Sequence, residues 1–272
     1  VDSNGVLTEE AGQFAGLTTD EANKKIAVYL DENGYLFALK KIIHQYPHCW
    51  RCKTPILFRA TDQWFCSVED FKDKACEAID SVKWIPAWGH DRITNMVKER
   101  KDWCISRQRK WGVPIPIFFC KECGEAHIDN DAMMAVADLF EKEGSNAWYS
   151  HTAAEILPEG TKCKKCGCTE FEKEKDIMDV WFDSGSSHAA IVSKRDNLRF
   201  PADLYLEGND QYRGWFQSSL LTSVATEGVA PYKAVLTHGM ILDEEKRKMS
   251  KSLGNGISPQ DVTEKYGADV LR

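Results

Sequence analysis

The sequence predicts an α/β fold, in which strands and helices alternate along the chain. Alternating strand and helix patterns up to residue 43 and again across 204–242 lead to this prediction. A helix that Ser258-Pro259 opens follows the second pattern, since proline is well tolerated in the first turn of a helix. Two glycine-flanked cysteine pairs, within 120–123 and 163–166, predict a metal-stabilised region in the same chain.

Apolar periodicity and end signals define the individual elements. The first helix takes residues 20–33, where apolar residues recur at helical spacing and Gly34 ends the run. A strand at 35–43 is expected to follow. The further predicted elements, in chain order, are helices at 67–82 and 91–100, a strand ending at Phe119, a helix at 130–144, a strand at 204–207, a helix at 211–226 and a strand at 234–242.

The composition is that of an ordinary globular protein. Of 272 residues, 43% are hydrophobic and 28% are charged, which excludes collagen-like, low-complexity and largely disordered chains. No apolar run is long enough to span a bilayer and the first residues do not resemble a signal peptide, so we expect a cytoplasmic protein without a membrane partner. The net charge of −7 argues against a general polyanion binder but permits a local basic patch.

Ten cysteines without a secretion signal predict reduced thiols, so that paired spacings indicate metal sites rather than disulfides. Cys120-x-x-Cys123 and Cys163-x-x-Cys166 are each followed by a glycine, which tolerates the positive φ of a tight turn. Four thiolates from two such turns would form a closed tetrahedral site, so we predict one structural Zn²⁺. Four unrelated buried cysteines are the alternative, and Cys168 is an alternative ligand.

A third pair, Cys49-x-x-Cys52, has no partner pair downstream. A second metal site here would have to be completed by residues upstream of Val1, so we expect a full ligand set to be missing from this chain. The remaining, isolated cysteines are expected to be small core residues: Cys66, Cys76 and Cys104.

The most informative string is a loop rich in lysine and serine, which reads Lys248-Met249-Ser250-Lys251-Ser252. It follows the predicted strand at 234–242, and therefore lies where a doubly wound sheet places its ligand-contacting loops. Two lysines and two hydroxyl groups suit the binding of a polyphosphate. For a five-residue match taken alone, a solvated lysine-rich turn is the alternative.

This string resembles the second signature, K-M-S-K-S, of the class I aminoacyl-tRNA synthetases. Three longer strings are similar to the isoleucyl members of that family: WCISRQRKWGVPIP at 103–116, DVWFDSGSS at 179–187 and LEGNDQYRGWF at 206–216. The valyl members share the first string in looser form and differ in the other two, so a valyl enzyme is the alternative. The resemblance covers essentially the whole chain and implies the Rossmann-like nucleotide-binding fold of the family.

The family's architecture divides this chain into four segments. Residues 1–43 would be the C-terminal edge of the inserted editing domain, and 44–178 a connective region with the zinc knuckles. Residues 179–252 would form the second half of the Rossmann-like catalytic domain with its K-M-S-K-S loop, and 253–272 the start of the stem-contact helices. The family's first signature, His-x-Gly-His, does not occur in these residues, so we expect an internal part of a longer protein that is inactive by itself.

The resemblance implies activation of L-isoleucine with ATP and Mg²⁺, and transfer of the isoleucyl group to tRNA(Ile). Lys251 and Lys248 would be catalytic, because their charges stabilise the departing pyrophosphate. The residues that would contact ATP or the adenylate are Glu207, Gly208, Asp210, His238, Gly239, Met249, Ser250 and Lys251. A carboxylate such as that of Glu207 is a natural acceptor for ribose hydroxyls, although an acid at a strand end can equally be a surface residue.

Trp181, Gln211 and Trp215 would surround the side chain of the substrate amino acid. Gln211 and Trp215 are four residues apart, so the predicted helix places them on one face. Two indoles can form the walls of a slot for a branched aliphatic chain. The alternative is that both tryptophans are ordinary core residues.

A basic stretch at 83–111 contains eight Lys or Arg against three Asp or Glu, with tryptophans between them. Such a mixture suits an RNA backbone and unstacked bases, and we expect Arg107 and Arg109 to contact the acceptor end of tRNA. A solvated helix face beside core tryptophans is the alternative. We expect a monomer, and a zinc-dependent RNA-binding module is the alternative function.

Overall fold

The computed structural model describes residues 1–49, 52–251 and 253–272. These form two compact units, residues 1–62 and 63–272. Ser252, the last residue of the predicted polyphosphate loop, lies outside the described residues, as do the two residues between Cys49 and Cys52. Within the described ranges, no helix combines the length and the apolar composition needed to cross a membrane.

The helices and strands have the following bounds. The α-helices are α1 (Thr19–Glu32), α2 (Lys72–Asp80), α3 (Trp88–Lys98), α4 (Asn130–Glu143), α5 (Ala147–Ser150), α6 (Ala153–Ile156), α7 (Val180–Gly185), α8 (Trp215–Glu227), α9 (Pro259–Tyr266) and α10 (Ala268–Leu271). The strands are β1 (Phe65–Cys66), β2 (Lys83–Ile85), β3 (Trp103–Cys104), β4 (Ser106–Arg107), β5 (Phe118–Cys120), β6 (Ala126–His127), β7 (Phe171–Lys173), β8 (Ile177–Met178), β9 (Tyr205–Gly208) and β10 (Ala234–His238). Short 3₁₀ helices span Glu9–Phe14, Glu69–Phe71 and Asn209–Arg213, and a π-helical turn spans His188–Val192.

The first unit contains α1, which confirms the helix predicted at 20–33. Its start is a capping box, in which the Glu21 carboxylate accepts the Thr18 amide at 3.0 Å while the Thr18 hydroxyl accepts the Glu21 amide at 3.4 Å. The strand predicted at 35–43 is wrong, since these residues pair with no other strand in the described part of the chain. Phe37 and Ile43 are fully exposed. An apolar segment forms a strand when a neighbouring strand exchanges hydrogen bonds with it, and composition alone cannot supply that neighbour.

The second unit contains a parallel sheet in which β2, β10 and β9 pair in that order. β9 and β10 confirm the strands predicted at 204–207 and 234–242, although β10 already ends at His238. The sequence analysis did not find β2, because a three-residue strand is too short to show a periodic pattern. Trp84 of β2, Tyr205 of β9 and Val235 of β10 are buried in one core with α8.

α8 is buried on nearly all sides, because α7 and α2 both pack against it. A helix buried on all sides has no polar stripe, which is why its sequence shows little amphipathic character. The predicted helices at 67–82 and 91–100 are confirmed as Glu69–Phe71 followed by α2, and as α3. α9 confirms the last predicted helix, with Pro259 in its first turn.

An antiparallel sheet in the order β6, β5, β7 forms a separate region with α4, α5 and α6. Phe118, Val136 and Trp148 are buried in its own core. The predicted strand ending at Phe119 and the predicted helix at 130–144 are confirmed as β5 and α4. This small core holds the two chain segments that carry the paired cysteines.

Candidate functional site

The first candidate site lies at the carboxyl ends of β9 and β10. These strands are parallel and Gly208 lies opposite His238, so the residues that follow both strands lie at one edge of the sheet. A Cβ atom on Gly208 would lie 3.0 Å from the Asp210 carboxylate, 3.3 Å from the Met240 side chain and 3.7 Å from the His238 ring. Three of the predicted nucleotide-binding residues therefore converge, together with Met240, for which the sequence analysis predicted no role.

Hydrogen bonds fix the backbone at this edge while leaving acceptors exposed. The Glu207 carboxylate accepts the Gly208 amide at 3.0 Å, and both Glu207 and Asp210 are exposed. The hydroxyl of the buried Tyr212 lies 2.8 Å from that of Thr237, which ties the 3₁₀ helix after β9 to β10. The edge therefore presents carboxylates, which suit hydroxyl donors such as those of a ribose.

The predicted amino-acid-binding residues also come together, around Gly214. A Cβ atom on this glycine would lie 2.5 Å from Gln211 Oε1 and 2.9 Å from the ring of Trp181. The indole of Trp215 donates to the Ser184 carbonyl at 3.1 Å and stacks on Tyr205 with ring centroids 4.0 Å apart. Trp181 is 41% exposed, so one tryptophan is fixed and the other faces an open side of the site.

The helix predicted at 211–226 begins four residues later than expected. Gln211 belongs to a 3₁₀ helix that ends at Arg213, and α8 begins at Trp215 after a break at Gly214, where φ is −121° and ψ is −119°. Gln211 and Trp215 therefore do not share one helix face. They remain adjacent for another reason: Gln211 Oε1 accepts the Trp215 amide at 2.9 Å, which satisfies a donor at the start of α8.

The predicted polyphosphate loop is held by two residues of previously unassigned role, Asp243 and Asn255. The Asp243 carboxylate accepts from the Arg247 guanidinium at 2.8 Å and from the Asn255 amide at 2.7 Å. The Asn255 side chain also accepts the Ser250 amide at 2.9 Å, so it bridges both sides of the loop. Hydrogen bonds from Asn255 and then from Arg247 hold the pKa of Asp243 below its ordinary value.

The two lysines of the loop are exposed. In the described part of the chain, neither the Lys248 nor the Lys251 ammonium has a hydrogen bond or an ion pair with the protein. A cation without an internal partner can bind an anionic ligand without first breaking a contact. The loop therefore presents two available positive charges after β10.

The two arginines predicted to contact tRNA lie in different surroundings. The Arg107 guanidinium forms an ion pair of 2.9 Å with Asp179 and donates to the carbonyls of Cys104 and Ser106 at 2.8 and 2.7 Å. Arg109 is exposed and lines a separate cavity of about 640 Å³ beside Trp148. The structure therefore does not bring these two side chains into one cluster.

The string at 179–187, which carries Trp181, contains an acid that the sequence analysis missed. Burial, and then the neighbouring Asp179 carboxylate, raise the pKa of Asp183 to about 6. Asp179 itself is buried, and accepts from the Trp103 indole at 3.0 Å in addition to Arg107. The Trp181 amide donates to Asp179 at 3.3 Å, so this acid also caps the helix that carries Trp181.

The second candidate site is a cluster of four cysteine sulfurs in the antiparallel region. The sulfurs of Cys120, Cys123, Cys163 and Cys166 all lie within 4.8 Å of one another. Those of Cys120 and Cys166 are 3.5 Å apart, and those of Cys123 and Cys163 are 3.6 Å apart. A tetrahedral ion with bonds of about 2.3 Å requires sulfurs about 3.8 Å apart, so the arrangement fits Zn²⁺.

The thiols of this cluster compete for ionisation. The Cys123 amide lowers the pKa of Cys120 to about 6. The Cys168 amide favours ionisation of Cys166, but the Cys120 sulfur and burial outweigh it and raise the pKa of Cys166 to about 12. Four thiolates this close together need a cation, which a divalent metal would supply. The Cys168 sulfur instead contacts the backbone of Glu170, at 3.3 Å from its amide.

The two cysteine pairs of the cluster have the same backbone turn, and the third pair shares one hydrogen bond with them. In the first two, the amides of Gly124 and Gly167 donate to the carbonyls of Cys120 and Cys163, each at 2.9 Å. In the third, the Lys53 amide donates to the Cys49 carbonyl at 2.8 Å, with Lys53 at a φ of 62°.

The Cys49 and Cys52 pair lies in the first unit. Among the residues that the structure describes, no additional sulfur, imidazole or carboxylate completes a ligand set around it. The ligands of a second site therefore stay a prediction.

Comparisons with known proteins place this geometry in context. A family model described as tRNA synthetases class I (I, L, M and V) matches residues 13–272. The isoleucine–tRNA ligase of Caldicellulosiruptor bescii is 62% identical over 272 residues, which cover 100% of this chain and 30% of that protein. The isoleucine–tRNA ligase of Moorella thermoacetica is also 62% identical over 272 residues, which are 29% of its length.

Among solved structures, the ternary LeuRS–tRNA–LeuAMS complex of Agrobacterium radiobacter K84 matches with a TM-score of 0.44 and 27% identity. That match covers 64% of this chain and 24% of the other. The present chain spans about 30% of the length of the curated relatives it matches.

Proposed function

The chain belongs to the class I tRNA synthetases of the isoleucine, leucine, methionine and valine group, and we propose that it forms part of the catalytic site of an isoleucyl-tRNA synthetase. The observation that carries this proposal is the convergence of Gly208, Asp210 and His238 at the carboxyl ends of two adjacent parallel strands. Such an edge is where open α/β sheets bind nucleotides. The proposed reaction joins L-isoleucine and ATP into isoleucyl-adenylate and then transfers the isoleucyl group to tRNA(Ile).

The nucleotide would bind along β9 and β10. Glu207 and Asp210 would accept the ribose hydroxyls, because both carboxylates are exposed at the edge. Gly208 would allow close approach of the adenylate to the backbone, and His238 and Gly239 would lie beside the adenine. Met249, Ser250 and Lys251 would contact the triphosphate from the loop after β10.

Displacement at the α-phosphate needs positioning and charge stabilisation rather than a protein nucleophile. Lys251, with Lys248 as its partner, would stabilise the charge that moves onto pyrophosphate. Mg²⁺ would accompany ATP. Asp243 and Asn255 would hold the loop in shape, since they bond to both of its sides.

The isoleucine side chain would lie between Trp181 and Trp215, next to Gln211. The indole nitrogen of Trp215 is already bonded to Ser184, so its ring offers an apolar wall. The oxygen of Gln211 is bonded to the Trp215 amide, while its Nε2 has no partner among the described residues and can donate to a substrate. Arg107 and Arg109 would contact the acceptor end of tRNA from separate places.

The cysteine cluster would hold one structural Zn²⁺, which the four converging sulfurs support. A cytoplasmic location is part of this proposal, because paired Cys-x-x-Cys spacings suit metal-binding thiols in a reducing compartment. The four-segment division of the chain, with an editing-domain edge at 1–43, a zinc-knuckle region at 44–178, the nucleotide-binding half at 179–252 and stem-contact helices from 253, also stays part of this proposal, as does a monomeric state.

The test is a titration of the purified chain with three ligands: a non-hydrolysable isoleucyl-adenylate analogue, its valyl counterpart and a short single-stranded RNA. We expect the isoleucyl analogue to bind most tightly, and Glu207→Ala to weaken it. Tighter binding of the valyl analogue would favour a valyl enzyme, and preference for RNA would favour a zinc-dependent RNA-binding module.

A second assay is isoleucine-dependent pyrophosphate exchange. We expect a protein of these 272 residues to show no useful exchange, because it lacks the His-x-Gly-His half of the phosphate site. Robust exchange would contradict that expectation.

A further inference from the structure

The two tryptophan walls of the proposed amino-acid site differ in how firmly they are held. Trp181 is 41% exposed, and its ring lies against Gly214. The indole of Trp215 is half-buried and is contacted both on one face and at its nitrogen. Because the less mobile wall sets the shape of a slot, the residues that fix Trp215 decide which side chains the slot accepts.

One face of the Trp215 indole is covered by Tyr205 of β9. The two rings are stacked, with centroids 4.0 Å apart and an angle of 10° between their planes. Tyr205 is buried and is held in turn by Tyr232, whose ring centre lies 4.8 Å away and whose hydroxyl donates to the Phe216 carbonyl at 2.9 Å. An indole with one face covered cannot tilt without losing the stacking contact. Tyr205 therefore fixes the plane of the Trp215 ring.

The nitrogen of the same indole is fixed by the segment that ends α7. It donates to the Ser184 carbonyl at 3.1 Å and to the Ser187 hydroxyl at 3.2 Å. An indole has a single N–H donor, so the two acceptors share it and define the direction in which this edge of the ring points. Ser187 therefore helps to fix the rotation of Trp215 within the plane that Tyr205 sets.

The two acceptors are themselves held against α8, the helix that begins at Trp215. A Cβ atom on Gly185 would lie 2.9 Å from the backbone carbonyl carbon of Ser218, so α7 and α8 are in close contact at this glycine. The Thr222 hydroxyl donates to the Gly185 carbonyl at 3.0 Å. The indole and its acceptors thus belong to one closely packed pair of helices. A larger substrate could displace the ring only by breaking the stack or these hydrogen bonds.

The contribution of Tyr205 comes from its ring rather than from its hydroxyl group. That hydroxyl is buried and has no hydrogen-bond partner of normal geometry among the described residues, although the hydroxyls of Ser187 and Ser219 are its neighbours. Removing it leaves no partner unsatisfied, whereas removing the ring uncovers the face of Trp215. Tyr205→Phe is therefore the matched control for Tyr205→Leu.

We propose that Tyr205 and Ser187 are positioning residues that set the amino-acid specificity of this site by holding Trp215 in one orientation. The inference rests on the proposed function, in which the isoleucine side chain lies against this ring. A fixed wall excludes side chains that are longer than isoleucine or branched at another carbon, because forcing atoms into a rigid, packed space is unfavourable. It does not exclude a smaller side chain such as that of valine.

The experiment measures pyrophosphate exchange by the full-length protein that contains this segment, and compares kcat/KM for isoleucine, leucine and valine. In Tyr205→Leu the preference for isoleucine over leucine should fall about tenfold, the size of effect expected for a lost aromatic stack. In Ser187→Ala the same preference should fall about threefold, since one of the two acceptors remains. The preference for isoleucine over valine should change little in either variant, and Tyr205→Phe should match the unsubstituted protein.

A lower preference for isoleucine over leucine in both variants, with Tyr205→Phe unchanged, supports the proposal. Equal losses of kcat/KM for all three amino acids would show that the two residues only stabilise the fold, and would overturn it, as would an equal effect of Tyr205→Phe. If urea denaturation shows that Tyr205→Leu does not fold, Ser187→Ala decides alone, and an unchanged preference overturns the proposal. Failure of the unsubstituted protein to prefer isoleucine would instead refute the proposed function.

Discussion

The cysteine cluster and the edge of the parallel sheet differ in how each is assembled. All four sulfurs of the cluster lie within 120–166 and meet within 4.8 Å, around a core of their own. The proposed substrate site gathers residues from 181 to 251, at the sheet edge, around Gly214 and in the loop after β10, and its carboxylates and lysines are exposed. The comparison teaches that a short segment can build a site from two local turns, whereas the proposed substrate site draws its residues from many elements.

The largest expected effect is loss of the metal. We expect one equivalent of zinc per chain by metal analysis of protein prepared without chelator. Its removal should unfold the region of β5, β6 and β7, because structural zinc contributes roughly 10 kcal/mol or more to folding in small zinc domains. Cys163→Ser should have the same effect.

The matched control for this prediction is Cys168→Ser, since the Cys168 sulfur contacts the Glu170 backbone instead of the cluster. It should keep the full equivalent of metal. Less than half an equivalent in the unsubstituted protein, or equal metal loss from both variants, would show that the four sulfurs are ordinary thiols.

A smaller effect is expected at the break before α8. In Gly214→Ala the new methyl group would meet Gln211 Oε1 at 2.5 Å and the Trp181 ring at 2.9 Å. Relieving such contacts costs about 1–3 kcal/mol of the free energy of unfolding, and should displace Trp181. Urea denaturation followed by tryptophan fluorescence measures the free energy of unfolding, and the fluorescence of the folded protein reports the displacement of Trp181.

Gly256→Ala is the control for this substitution, because a Cβ atom there would meet nothing within 4 Å. It should leave the unfolding free energy unchanged. If both alanine variants are equally stable, the packing of Trp181 on Gly214 does not determine the shape of the amino-acid site.

The smallest effect is a pH dependence from Asp183. Its pKa is raised to about 6 in the folded state, so the protonated form is favoured by folding. Stability should therefore increase as pH falls from 7 towards 5, and be lost as pH rises through about 6. Because the side chain is partly solvated, the effect is on the order of 1 kcal/mol.

Asp183→Asn should remove this pH dependence and raise stability at pH 7. Asp196→Asn, at an exposed position, should not alter how the free energy of unfolding changes with pH. The free energy of unfolding measured by urea at several pH values decides the matter. If the free energy of unfolding changes with pH equally in Asp183→Asn and in the unsubstituted protein, Asp183 titrates as a solvated acid.

Sequence reasoning succeeded where the signal was local. The spacing of Cys120, Cys123, Cys163 and Cys166 was sufficient to predict the cluster, because each pair forms one tight turn and carries its own glycine. The predicted residues at Gly208, Asp210 and His238 also converge, since parallel strands bring their carboxyl ends to one edge.

Sequence reasoning failed where the structure depends on distant partners. The segment at 35–43 is rich in apolar residues, as a strand can be, but it has no partner strand among the described residues. The ion pair of Arg107 and Asp179 joins residues 72 positions apart, and no spacing rule indicates it. The break at Gly214 follows from the fit of Trp181 against it, which requires the folded neighbour.

The most direct test of the central claim is pre-steady-state adenylate formation by a full-length isoleucyl-tRNA synthetase that contains this segment. Lys251→Ala should lower the maximal rate by about a hundredfold with ATP affinity little changed, because its charge acts on the leaving pyrophosphate. Glu207→Ala should also weaken nucleotide binding, since its ribose contacts exist before the reaction. If Lys251→Ala changed ATP affinity alone and left the maximal rate intact, the loop would be a binding clamp and the catalytic assignment would be wrong.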